Sequence, residues 1–205
     1  MIFTVTVFGL PPTNIVTRGM PALSTQRAAK IAPYLKVRPL RFQDWHPTAP
    51  AMLITRRPAD GQVTQLQVVN KPEGKPVALT NGAEPVRSAS YHPKDGNRIL
   101  FLRDAGGSEK YQVFHLNVVT KKTTMLTDGK HRHTGVRWSP DGRRIVYFSP
   151  KRNGRDNDLY TMDPLKPDSE KLLAKLPGGG WWISDWSPDN RLLLVIEYLS
   201  INFSK

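Results

Sequence analysis

The sequence predicts an all-β chain built from repeated four-stranded antiparallel meanders, and three observations carry that expectation. First, an aromatic residue, then His or Ser, then Pro recurs as Trp45-His46-Pro47, Tyr91-His92-Pro93, Trp138-Ser139-Pro140 and Trp186-Ser187-Pro188, in steps of 46, 47 and 48 residues. An even period of that length marks a repeat architecture. Second, the last three tags run into turn residues, Lys94-Asp95-Gly96, Asp141-Gly142 and Asp189-Asn190, and each turn into an apolar run. Third, the apolar residues come in short β-branched or aromatic runs broken by Gly, Pro and Asp, without the three-and-four spacing of helices. A meander of about 40 to 50 residues, repeated, is the pattern of a β-propeller blade, and the chain has room for about three and a half of them.

Residues 1–33 do not follow the period and read as an irregular lead-in, punctuated by Leu10-Pro11-Pro12, Gly19-Met20-Pro21 and Ala32-Pro33, with one strand expected at 3–8. A partial propeller is expected over 34–205, with blades at about 34–80, 81–127 and 128–176 and a partial blade at 177–205. In the first blade, strands are expected near Arg38 to Trp45, Met52 to Thr55, Gln65 to Val69 and Pro76 to Leu79. In Ser139-Pro140-Asp141-Gly142 the proline sets φ for the second turn position, Asp141 bonds nearby backbone, and Gly142 takes the positive φ that ends such turns. The strand after each turn starts at Arg98, Arg144 or Arg191. Two more strands complete a unit, as in Tyr111 to Val119 with Thr123 to Thr127, and Asp158 to Met162 with Lys171 to Leu176.

A propeller typically closes with four to eight blades, so a chain of this length is expected to be a piece of a larger ring. Thirty Lys and Arg against 17 Asp and Glu give a net charge of +13, which would suit a polyanion if it were concentrated on one face. The densest groups, Lys130 to His133 and Lys151 to Arg155, carry no interleaved stacking aromatics and read as solvated loop charge, so no nucleic-acid partner is expected. The chain has no cysteine, which excludes disulfides, thiolate metal sites and cysteine nucleophiles. No apolar span approaches the length of a membrane helix. The first ten residues lack the cationic start and long apolar core of a signal peptide, which leaves the cytoplasm as the default location.

Successive strands of a meander alternate direction, so the loops joining second to third strands share one face with the links between blades. On that face lie Ala105 to Lys110, Lys151 to Asn157, Asp128 to Thr134 and Pro177 to Trp182, richer in chemistry than the tight turns opposite. No catalytic residue is expected: Gly106-Gly107-Ser108-Glu109-Lys110 lacks the final glycine and the strand-to-helix setting of a nucleophile elbow. No metal site and no cofactor are expected either. His131 and His133 read as loop histidines, and Asp156, Asp158, Asp185 and Asp189 as capping and turn residues. Trp45, Tyr91, Trp138 and Trp186 recur at one structural position and are expected to pack between neighbouring blades.

Ala32-Pro33-Tyr34-Leu35-x-Val37-Arg38, Phe42-x-x-Trp45-His46-Pro47, Glu84-Pro85-Val86-Arg87-x-Ala89-Ser90-Tyr91-His92-Pro93, Arg103-Asp104-x-Gly106-Gly107-Ser108-Glu109 and Leu126-Thr127-Asp128-Gly129-Lys130 together resemble one family. So do Arg152-Asn153-Gly154-x-Asp156-x-Asp158-Leu159-Tyr160-x-Met162-Asp163-Pro164 and Gly178-Gly179-Gly180-Trp181-x-x-x-Asp185-Trp186-Ser187-Pro188. The resemblance, over about residues 32 to 202, is to the N-terminal propeller of bacterial prolyl oligopeptidase family serine peptidases of the dipeptidyl and acylaminoacyl peptidase-like kind. Trp-Ser-Pro-Asp-Gly alone would equally fit TolB-like propellers, which implies the alternative of a protein-protein interaction module. In the peptidase family the propeller caps an α/β-hydrolase domain that carries Ser, Asp and His, and restricts entry to small peptides. No position of this chain corresponds to those catalytic residues, so the chain alone is expected to be inactive. The resemblance implies as partners the remaining blades, the hydrolase domain and short peptides. Glu109, Arg152, Arg155, Trp181 and Trp182 are the residues expected to make docking or peptide contacts.

Overall fold

The structure, a computed structural model, describes residues 16, 18–19, 24–35, 37–59, 63–178, 180–200 and 203–204; the strand expected at 3–8 lies outside them. The chain divides into two compact units, Met1–Pro39 and Leu40–Lys205. In the first unit, where the sequence predicts an irregular lead-in, a helix, α1, occupies Thr25–Leu35. Ser24 starts it: its hydroxyl accepts from the Arg27 N–H at 3.3 Å, and its carbonyl takes the Ala28 N–H at 2.9 Å. Pro33 falls in the last turn, where it cannot donate to the Ala29 carbonyl, and the helix ends two residues later at Leu35. Among the described residues no helix is long and apolar enough to cross a membrane.

The second unit is all β and propeller-like. Strands β1 (Arg41–Trp45), β2 (Met52–Arg56), β3 (Gln65–Val69) and β4 (Val77–Ala78) form a four-stranded sheet in chain order. A second such sheet is β5 (Val86–Tyr91), β6 (Arg98–Arg103), β7 (Gln112–Asn117) and β8 (Thr123–Met125). The third is β9 (Thr134–Trp138), β10 (Ile145–Ser149), β11 (Asp158–Asp163) and β12 (Lys166–Ala174). A three-stranded sheet follows, of β13 (Trp181–Trp186), β14 (Leu193–Ser200) and β15 (Phe203–Ser204). Every pairing is antiparallel, and each first strand ends on its aromatic tag, with Trp45 opposite Met52, Tyr91 opposite Ile99, Trp138 opposite Ile145 and Trp186 opposite Leu193. Strand β12 begins five residues before the expected Lys171; as the outermost strand it tolerates Pro167, whose missing N–H breaks no ladder there.

The two faces of the strand after each turn are shared between neighbouring sheets. Ile99 and Phe101 pack back onto Leu53, Leu66 and Val68 of the first sheet, whereas Leu100 and Leu102 pack forward onto Ile145 and Tyr147 of the third. Val146 and Phe148 in turn pack forward on Ile183, Leu193 and Val195. Alternating strand geometry thus makes each middle sheet the core of two interfaces.

The tags join the sheets at one end. His46 Nδ1 accepts from the Thr48 and Ala49 N–H groups at 3.2 and 3.1 Å, and the fixed ring then lies edge-on to Tyr91 with centroids 4.8 Å apart. A Cβ on Gly96 would fall 2.1 Å from His46 Nε2. The arrangement repeats one blade on. His92 lies edge-on to Trp138 at 5.0 Å, its Nε2 stands 3.2 Å from the Gly142 carbonyl oxygen and 2.6 Å from Arg98 Nη2, and a Cβ on Gly142 would meet it at 1.9 Å. Burial, with Arg98 beside it, holds the His92 imidazole below its ordinary pKa. Tyr91 and Trp138 are accordingly buried, while Trp45 is 65 % exposed and pairs with Phe42 at 5.2 Å.

Gly142 (φ 73°) and Gly106 (φ 61°) are both left-handed, but only Gly142 faces a ring, and Gly106 has nothing within 4 Å of its missing Cβ. Gly106→Ala is expected to cost roughly 1–3 kcal/mol from backbone strain. Gly142→Ala should cost more, because the His92 ring must also move, with a midpoint lower by at least a further several degrees in thermal unfolding. Equal losses would show that the ring is not seated on this turn.

Candidate functional site

The face carrying the second-to-third-strand loops and the blade links is assembled by hydrogen bonds between those segments. The Gly106 N–H donates to Glu84 of the preceding link at 3.0 Å, and the His133 N–H of the 128–134 link to the Tyr111 carbonyl at 2.9 Å. Gln65 and Gln112, at the starts of β3 and β7, staple each link to its sheet. Gln65 donates to the Gly82 and Glu84 carbonyls at 3.1 Å and accepts from Thr80 at 2.8 Å. Gln112 donates to Lys110 and His131 carbonyls at 2.9 and 2.7 Å and accepts from Thr127 at 2.7 Å.

In the third sheet the corresponding position is Asp158, whose side chain is 0 % exposed. A buried carboxylate needs charge or donors. Arg152 supplies both, its Nε bonding Asp158 Oδ2 and its Nη2 reaching Asp158 Oδ1 and Asp156 Oδ2, each at 3.1 Å. The Leu176 N–H adds a bond to Asp158 at 2.9 Å, and the Gly178 N–H one to Asp156 at 3.0 Å. The Arg152 hydrogen bond holds the Asp158 carboxyl below the usual carboxylate range.

The structure thus places Arg152 in a scaffold role, locking the 150–157 loop to the 175–178 link. Arg155 beside it is 85 % exposed, its Nε 3.8 Å from Asp156 Oδ1. Trp181 and Trp182, expected in the blade link, are the first residues of β13. The Trp181 indole donates to the Pro177 carbonyl at 3.0 Å and packs against Val146, Phe148 and Leu159, whereas Trp182 is 42 % exposed. Glu109 sits apart from these four, in a left-handed backbone conformation (φ 57°) with its carboxylate 3.8 Å from Arg132. Its N–H donates to Asp104 at 3.0 Å. Arg132 and Arg87 both lie over the Tyr111 ring, at 5.7 and 4.7 Å, and Arg87 donates to the Tyr111 hydroxyl at 2.7 Å.

His133 does not behave as a loop histidine. It is 0 % exposed, edge-on to Tyr147 at 5.5 Å, with Nδ1 3.2 Å from the Tyr111 carbonyl and Nε2 without a hydrogen-bond partner. The link turns inward at this residue and continues as β9, which spacing alone does not signal. His131 stays at the surface, paired with Asp128 at 2.7 Å. Burial works against the Asp128 carboxylate, but bonds from the His131 backbone and ring and from the Lys130 N–H outweigh it and hold its pKa low. Beneath the same link, Lys151 lies 4.4 Å over the Tyr160 ring and pairs with Glu170, which also accepts from the Tyr147 hydroxyl. Among the described residues no three His, Cys, Asp or Glu side chains come together so as to hold a metal ion.

No family model matches the chain. Over 116 residues it is 32 % identical to the uncharacterized peptidase YuxL of Bacillus subtilis (strain 168), an alignment covering 54 % of this chain and 17 % of that protein. Its structure is similar to a putative TolB from Agrobacterium tumefaciens, with a TM-score of 0.61 at 22 % identity over 81 % of this chain and 61 % of the other. A prolyl endopeptidase gives a TM-score of 0.61 at 16 % identity over 83 % of this chain and 28 % of the other. The β-propeller domain of the Trilobed protease from Pyrococcus furiosus gives 0.58 at 12 % identity over 82 % and 52 %. The fold is that of a β-propeller, and the chain spans only part of the length of each of these proteins.

A carboxylate with a depressed folded pKa contributes stability above its unfolded value, near pH 3.9, and loses it as the pH falls toward the folded one. Urea unfolding is therefore expected to show stability declining below about pH 5. Asp158→Asn should decline less steeply, since Arg152 no longer favours an ionised partner there. Parallel acid limbs in the two proteins would remove Asp158 from this role.

Proposed function

We propose that the chain is the propeller region of a serine peptidase acting on short peptides, where it docks on a hydrolase domain and restricts access, and that it is not catalytic by itself. The observation that carries this reading is the 32 % identity over 116 residues with a peptidase, in a chain whose fold is a propeller. The loop-rich face is the side offered to the hydrolase domain. Arg155, Trp182, Glu109 and Arg132 on it are exposed enough to meet a partner or a peptide, while Arg152 and Trp181 act by fixing the loops that present them. In such a parent protein the nucleophilic serine and its base lie in the hydrolase domain, and acyl transfer takes place there.

A second reading, a TolB-like propeller acting as a protein-protein interaction module, is favoured by the match to 61 % of a putative TolB. The two separate experimentally. The coding DNA read on from Lys205 is expected to give further aromatic-x-Pro repeats and then a Gly-x-Ser-x-Gly motif. Envelope-transport genes alongside, with no hydrolase frame, would favour the interaction module instead. The purified chain is expected to leave dipeptidyl and acyl-amino-acid reporters uncleaved, and hydrolysis that follows the chain through successive columns would contradict the non-catalytic reading.

A further inference from the structure

The 128–134 link is held to the second sheet at a buried histidine. The His133 N–H donates to the Tyr111 carbonyl at 2.9 Å, and the ring returns to the same oxygen, with Nδ1 3.2 Å away. A carbonyl only accepts, so the ring proton sits on Nδ1 and Nε2 is the basic nitrogen. Nε2 is buried, with no hydrogen-bond partner among the described residues, and the ring lies edge-on to Tyr147 at 5.5 Å. The neutral imidazole is therefore the form that fits. A proton added at Nε2 would leave a charged N–H buried without an acceptor.

The charged and titratable groups around the ring are already engaged. From β10 the Tyr147 hydroxyl donates to Glu170 of β12, which also pairs with Lys151. Lys151 itself repels a positive charge on His133. Asp128 favours one, but its carboxylate already accepts the Lys130 and His131 N–H groups at 2.9 and 3.0 Å and lies 2.7 Å from the His131 ring. Arg87 and Arg132 lie over the Tyr111 ring, and Arg132 is 3.8 Å from Glu109. The rest of the hold on the link comes from Gln112, which donates to the His131 carbonyl at 2.7 Å and accepts from the Gly129 N–H at 2.9 Å.

We propose that the 128–134 link is an acid-released clamp, closed while His133 is neutral and freed from Tyr111 and Gln112 when His133 takes a proton at Nε2. Arg132 leaves the Tyr111 ring with it, so the loop-rich face beside Glu109 changes. That last consequence, a docking surface that responds to pH, rests on the function proposed above; the clamp does not.

A ring that binds its proton only when the link is open favours the closed link above its unfolded pKa of about 6.5, and this preference is lost as the pH falls. Opening should then rise about tenfold from about pH 7.5 to about pH 5.5. Backbone hydrogen exchange, corrected for the intrinsic effect of pH, measures it. The Gly129 and His133 amides should lose about tenfold in protection over that range, while the amides of the β10–β11 ladder keep theirs. In His133→Phe, which keeps a ring against Tyr147 but cannot titrate, the pH dependence should vanish. A second readout needs no variant: the ring ¹⁵N signals of the unaltered chain should show His133 protonated at Nδ1 at the upper pH. Protection of Gly129 and His133 that is constant with pH, a pH dependence that survives His133→Phe, an equal loss across the β10–β11 ladder, or a ring protonated at Nε2 would each overturn the proposal. All of these outcomes are read on the isolated chain and leave the peptidase reading to its own assays.

Discussion

The constraint that sets the spacing of the sheets is the lack of space over the turns that follow the second and third tags. Gly96 and Gly142 adopt positive φ, and where a side chain would begin there is instead the imidazole of the preceding blade. That ring cannot swing away, since its other nitrogen is held by the backbone N–H groups of its own turn, as with His46 and the Thr48 and Ala49 amides. One contact therefore fixes the distance between two sheets and also the place of the next aromatic residue, against which the ring lies edge-on. Once the spacing is set, the alternating faces of β6 and β10 fall onto their neighbours and the apolar cores close.

The third junction keeps the logic and changes the chemistry. Ser139 is too short to reach forward, so its hydroxyl binds its own turn at Asp141 and Arg144. The link is made from the other side, by Asn190, which takes the glycine's place at φ 62° and accepts the Asp141 N–H at 3.0 Å. A similar exchange occurs at the opposite face, where the Gln-Thr staples of the first two sheets give way in the third to Asp158, whose buried carboxylate is held by Arg152 and the Leu176 N–H. Departures from the repeat are thus the places where this chain acquires individual chemistry.

Much of this was legible in the sequence because the informative residues recur at one period. The tags located the ends of β1, β5, β9 and β13, and the Asp-Gly turns located the strands that follow. Four features had no such signal. The helix α1 depends on Ser24 as its cap, while Pro33 pointed the other way. Strand β12 opens with Lys166-Pro167-Asp168, which is tolerated only because that strand is outermost. The burial of His133 and the seating of Trp181 on Val146 and Phe148 are set by how neighbouring segments meet, which no single stretch of chain encodes. Of the residues expected to make functional contacts, Arg152 shows the difficulty best: an arginine in a polar loop reads as free charge until the buried carboxylate it serves is visible.

The tag histidine binds one blade to the next through the following aromatic residue and turn. A double-mutant cycle on His92→Ala and Trp138→Leu, measured by urea unfolding, tests it most directly. The two changes should be coupled by roughly 0.5–1.5 kcal/mol, the range for an edge-on ring pair. Losses that simply add, to within about 0.3 kcal/mol, would mean that the ring and the tryptophan act independently and that something other than the tag holds these sheets together.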